Sequence, residues 1–255
     1  MQVFFLLGFI FFSHISFAHQ IYAIDLGEPG EETLLLLSNG LVHRTSNPTE
    51  IEAAQKMITS RKNKAHFFSS LIQDDYEPSA FQSLEEAQAL FQTAQYVDKE
   101  SQCYNRAHVW SYEWFNNFGV NSNKTWLFFT RKYIRKFNFD WWFHVSPSVK
   151  LLEGDVSHEI IMDVKYSRTP LNLRAWTNIF MRNDAPCPRV KTYSDYANYP
   201  ESAWCFTIKT SMYYYRPVDI EANEIWGIIR NEWNDSDLKT AYEEAFKRYH
   251  TRKIQ

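Results

Sequence analysis

The chain has 255 residues, enough for one compact domain with a small appendage. Hydrophobic residues make up 45% and aromatic residues 17%, so a core rich in large rings can be buried. A net charge of −3, only 7 glycines and no GxGxxG or GxxxxGKS/T pattern leave nucleotide and nucleic-acid binding without support.

Residues 3–12 form an apolar run, and Ser16 and Ala18 follow as small residues. This predicts a signal peptide over 1–18, with cleavage after Ala18 and a secreted or periplasmic product. The run is shorter than the roughly 20 apolar residues of a membrane-spanning helix, so no membrane association is expected after cleavage. A buried N-terminal strand is the alternative, because no Lys or Arg precedes the run. Asn39-Gly40 between apolar stretches predicts a hairpin over 32–45 with a type I′ turn. Pro48 opens a helix to about Ser60. Ser83 and Glu86 form a capping box for a second helix, running to about Tyr96. These features divide the chain into 19–79, an N-terminal region, and 80–255, the main domain.

From Cys103, the positions Ala107, Trp110, Trp114 and Phe118 recur at helical spacing, and Gly119 ends the helix. The basic run 131–136 reads as strand or loop with a solvated face; it offers a docking point for an acidic protein. Strands are expected over 125–130, 137–149 and 159–166, then a helix over 170–182 with Leu173, Trp176, Ile179 and Phe180 as its apolar stripe. The stretch 187–205 reads as a loop, 206–215 as a strand, and 219–232 and 236–250 as helices. Helices, then strands, then helices give an α+β fold.

Cysteine usage sharpens the picture. In an oxidising compartment three cysteines leave at least one unpaired. Cys187 and Cys205 flank a turn-rich stretch and are natural disulfide partners. Cys103 is then the spare thiol, which on this count alone is either a buried inert residue or a nucleophile.

The position of Cys103 favours a nucleophile. A helix start puts partial positive charge and unpaired N–H groups beside the sulfur. His144 lies in an aromatic segment and Asp163 in an apolar one, and each is costly to bury alone. Pairing them resolves both costs and supplies a base with its orienting carboxylate. Trp142 shares a face with His144 by strand alternation and is the candidate substrate-binding ring. His108 points away from Cys103 on the same helix and reads as structural, while His158 and Asp155 sit in a polar turn. The tyrosines at 213–215 read as sheet packing more readily than as a groove wall. No His/Cys cluster has zinc spacing, so neither a metal nor any other cofactor is expected.

The elements Cys103-Tyr-Asn-Arg-Ala-His, Trp142-Phe143-His144-Val145 and Met162-Asp163 resemble the secreted bacterial protein-glutaminase (protein-glutamine deamidase) family. The resemblance spans about Gln102 to Arg182. It implies a transglutaminase/papain-like core, with Cys at the N-terminus of a buried helix packed on an antiparallel sheet carrying His and Asp, and with extra C-terminal helices. It assigns Cys103, His144 and Asp163 as the triad. The expected reaction converts protein-bound glutamine to glutamate through a Cys thioester, with proteins bearing exposed glutamine as partners. Family members carry a pro-segment over the active site; residues 19–79 fit that role, with Arg61-Lys62-Asn63-Lys64 as a processing point, or else form an integral hairpin and helix. Transglutamination and peptide-bond cleavage by the same triad, or a non-catalytic exported binding module, remain the rival expectations.

Overall fold

A computed structural model describes residues 21–62, 71–72, 76–94, 101–198, 202–226 and 235–250. The expected signal segment lies outside these residues, as do Asn63 and Lys64 of the expected processing point.

Two sheets organise the molecule. Strands β1 (Ile21–Asp25), β2 (Thr33–Leu37) and β3 (Val42–Thr45) form a small antiparallel sheet, against which α1 (Pro48–Lys62) packs. The larger sheet has the order β8-β7-β6-β5-β9, comprising β5 (Asn123–Phe129), β6 (Phe143–Glu153), β7 (Val156–Ile161), β8 (Leu171–Asn172) and β9 (Cys205–Ser211), all antiparallel. The short β4 (Ala80–Phe81) pairs with β6 in parallel. Helix α3 (Cys103–Phe118) packs on β6, and α8 (Asp235–His250) covers α3. This is an α+β fold whose central helix begins at the cysteine.

The N-terminal hairpin forms where Asn39-Gly40 predicts it, but not as a type I′ turn. Only Gly40 has positive φ (+91°), and Gly40 N–H donates to Leu37 O. The loop is therefore three residues long, an ordinary turn ending in a glycine bulge. A Cβ at Gly40 would lie 3.2 Å from the Phe143 ring, so glycine also permits close approach to β6.

Capping decides several helix starts. At α2 (Leu84–Gln92) the Ser83 hydroxyl accepts from Glu86 N, while the Glu86 carboxylate reaches back to Gln82 N rather than to Ser83. Helix α4 (Arg131–Phe137) replaces the strand or loop expected for the basic run. Thr130 caps its start, Asn138 closes it at φ +49°, and Tyr133 and Ile134 face inward. Its basic face is not simply solvated, because Arg135 pairs with Asp25 and Glu31 of the N-terminal region. Within the expected loop 187–205, α6 (Tyr193–Asn198) forms, its first turn held by the Glu224 carboxylate. Helix α5 (Leu173–Phe180) is shorter than expected; α7 (Pro217–Trp226) starts near its expected start, and 227–232 of its expected span lie outside the described residues. Trp176 and Phe180 of the α5 stripe are buried, whereas Ile179 is exposed, as is Phe118 at the end of α3.

Cys187 and Cys205 form a disulfide, and Cys103 is the remaining thiol. No helix among the described residues is long and apolar enough to cross a membrane.

Candidate active site

Cys103 occupies the first turn of α3. Gln102 precedes it in extended conformation, and the first backbone bond that closes the helix runs from Arg106 N to Gln102 O. The Cys103 N–H precedes that bond, so it has no partner inside the helix. The Gln102 side chain does not cap the helix. Its Oε1 accepts from Tyr104 OH (2.6 Å) and Asn105 Nδ2 (3.4 Å). Asn105 is in turn fixed by Tyr215 OH, which donates to its Oδ1. This chain of bonds sets the Gln102 amide, with the NH2 group outside it.

His144 enters from the start of β6 and is buried. One ring nitrogen, Nε2, lies 2.7 Å from Asp163 Oδ2. The imidazole also hydrogen-bonds Cys103, and Nδ1 is the nitrogen left for that contact. Asp163 is not inside a strand as its apolar neighbours suggest. Strand β7 ends at Ile161, and the Asp163 carbonyl accepts from Tyr166 N and Ser167 N in the following turn. Leaving the ladder lets its carboxylate reach both the imidazole and the Trp176 indole, whose Nε1 donates to Oδ2 at 2.8 Å.

The electrostatics follow from this arrangement. Burial opposes charge on His144, but the hydrogen-bonded Asp163 carboxylate and the Cys103 sulfur outweigh it, pushing its pKa up to about 9. Burial works against ionised Asp163 too. His144, the Trp176 indole and the Arg106 guanidinium overcome that, and its carboxyl is held below the usual range. At neutral pH the pair is an imidazolium held by a carboxylate.

The sulfur faces a cavity of about 200 Å³, several times the roughly 30 Å³ share of one water. One wall is the hairpin tip Asn39-Gly40-Leu41; another is the helix start, with Gln102 and Arg106. Trp141, Phe143 and Tyr166 supply aromatic surface. Trp142, the ring expected to bind substrate, is not in this lining. It is fully buried, donates its indole N–H to Leu37 O at 2.6 Å and stacks on Tyr22. Strand alternation fails at this point because β6 begins only at Phe143. Trp141 is the tryptophan at the cavity.

Other residues fall where the sequence puts them. His108 is buried under α8: Lys124 Nζ donates to its Nδ1 at 2.6 Å and its Nε2 donates to Leu238 O. Burial, then Lys124, hold it well below its ordinary pKa, so it is neutral and structural. His158 is half exposed beside Glu153. Tyr214 and Tyr215 are buried packing residues. No cluster of three metal-ligating side chains occurs among the described residues.

Four residues at the site escaped sequence reasoning. Trp176 reads as core packing, although an indole N–H that is buried needs an acceptor. Arg106 lies one helical turn after Cys103 and hence on the same face, a signal open to inspection. Gln102 and Tyr166 are positioned by hydrogen bonds that no local pattern announces.

Comparison with known proteins agrees with this architecture. A glutaminase family model matches residues 63–180. Among solved structures, a mutant of pro-protein-glutaminase is similar with a TM-score of 0.54 at 15% identity, covering 91% of this chain and 91% of that one. Pro-protein-glutaminase itself is similar with a TM-score of 0.50 at 13% identity, covering 89% and 91%. No curated protein sequence matches. The segment 63–180, which the glutaminase family model matches, carries Cys103, His144 and Asp163.

Proposed function

We propose that the protein deamidates protein-bound glutamine to glutamate, with Cys103 as nucleophile, His144 as acid and base, and Asp163 as its orienting partner. One observation carries this reading. Asp163 engages Nε2 of His144, so the other nitrogen meets the Cys103 sulfur at a cavity with room for a carboxamide side chain.

The geometry supports the following steps. The Cys103 sulfur, its proton on His144, attacks the carboxamide carbon. The developing oxyanion is met by the Cys103 N–H and the Gln102 amide, the two donors at the helix start. The C–N bond breaks as His144 Nδ1 gives its proton to the departing nitrogen, so ammonia leaves and a thioester remains. Neutral His144 then takes a proton from water, hydroxide adds to the thioester carbon, and the C–S bond breaks to release glutamate. Asp163 keeps Nε2 protonated and stabilises the imidazolium that forms in each half-reaction.

Residues 21–62 act as a removable cover in this reading. Their hairpin tip walls the cavity, and the similar structures spanning about nine-tenths of this chain are pro-forms. This reading puts the end of the cover within 63–70, short of the expected 79. Leu71 O accepts from Ser211 N, and Ser79 bonds Asn121 and Lys150, so Leu71 and Ser79 are both tied to the main domain. The apolar run 3–12 and the Cys187–Cys205 disulfide fit an exported protein.

The test is incubation of the chain, intact and nicked within 63–70, with a glutamine-bearing protein, reading ammonia, substrate mass and fragments. Ammonia with the mass gain of a Gln-to-Glu change is expected. Fragments without ammonia would replace this reading with a protease.

A further inference from the structure

Arg106 is the charged residue in the cavity lining that the mechanism does not use. It is 4% exposed, its Nη1 donates to Ser101 O and Oγ, and it hydrogen-bonds the Tyr166 hydroxyl. These contacts lock the guanidinium in place at the mouth of α3. Among the described residues, no Asp or Glu lines the cavity with it. Asp163 lies behind His144, hydrogen-bonded to the imidazole and the Trp176 indole; it feels the Arg106 charge but makes no ion pair with it.

A thioester has two fates: water converts it to acid, and an amine converts it to a new amide with the thiol restored. The arriving amine must reach Cys103 through a cavity that holds a fixed, desolvated positive charge. Like charges there interact far more strongly than in bulk water. The aromatic walls pull the other way, since ring faces attract cations, but a quadrupole is weaker than a full charge at the same range. We propose that Arg106 determines acceptor specificity, excluding cationic amines from the Cys103 thioester so that water, not lysine, completes the reaction. The same field opposes the return of ammonia once it has gained a proton in solution. The inference rests on the deamidase reading and adds to it why the outcome is hydrolysis.

The test uses the preparation that releases ammonia, and compares capture of the thioester by a diamine and by an amino alcohol of equal length. The reacting amine is the same in both; only the diamine brings a second, spectator charge. In the unmodified protein the amino alcohol should be captured at least about tenfold better. Arg106→Lys should keep that ratio, and Arg106→Gln should bring it close to one while ammonia release remains measurable. Equal capture by the unmodified protein overturns the proposal, whether or not Arg106→Gln folds. So does a ratio in folded Arg106→Gln that matches the unmodified protein. Absence of ammonia release from any glutamine protein would instead overturn the deamidase reading, and the acceptor proposal with it.

Discussion

The Trp176 indole donates to the same Asp163 oxygen, Oδ2, that engages His144. The carboxylate is thus fixed from two sides, and the imidazole inherits that orientation. Trp176→Phe keeps the ring and removes the donor. Hydrogen bonds to charged groups contribute about 1.5–3 kcal/mol, so we expect kcat to fall about tenfold with KM little changed. Because the indole helps hold the Asp163 carboxyl low, the acid limb of the activity profile should move to higher pH. Ammonia release measured across pH in both proteins checks this.

Gln102 gives a second prediction. Its amide is pre-set by Tyr104 and Asn105, a property expected of a donor that must meet charge without reorganising. Gln102→Ala should lower kcat by about a hundredfold, with a smaller effect on KM. Steady-state ammonia release separates the two parameters. A change confined to KM would remove Gln102 from the oxyanion site.

His144 makes both stability and activity depend on pH. Its folded pKa is about 9 against an ordinary 6.5, so the folded protein holds the proton more tightly than the unfolded chain. The stabilisation is complete below 6.5 and is lost as pH rises through about 9. Asp163 is shifted the other way, so its contribution is lost as pH falls through its lowered value, below 3.8. The melting temperature should therefore decline between neutral pH and pH 10, by an amount equivalent to a few kcal/mol. His144→Gln should flatten that decline. Activity should fall over the same interval, because the imidazolium that protonates ammonia is lost.

Trp142 ties the N-terminal hairpin to the main sheet through Leu37 O. Trp142→Phe keeps the stacking surface towards Tyr22 but drops that bond, for a loss of about 1 kcal/mol. The intact chain should then show more ammonia release than the unmodified intact chain, and the two should converge after nicking within 63–70. Activity unchanged in the intact variant would argue that the hairpin is a permanent wall of the site.

The legible parts of this molecule were those written in local sequence. Cys103 at a helix start, the Ser83 cap and the Asn39-Gly40 turn each depend on a few neighbouring residues. The Cys187–Cys205 bond followed from cysteine arithmetic. What local pattern missed was set by contacts distant in sequence. The basic run 131–136 is a helix because Tyr133 and Ile134 find a core and Arg135 finds Asp25, 110 residues away. Asp163 leaves its strand to meet Trp176, and Trp142 turns to Leu37, which leaves Trp141 rather than Trp142 in the cavity lining.

The most direct test of the account is Cys103→Ala. The thiol is partly exposed at the cavity and supplies no disulfide, so its removal costs little packing. The variant should keep the circular dichroism and melting temperature of the unmodified protein, and release no ammonia from a glutamine-bearing protein that the unmodified protein deamidates. Ammonia release by the folded variant at a comparable rate would contradict the account, because no thioester can form without that sulfur.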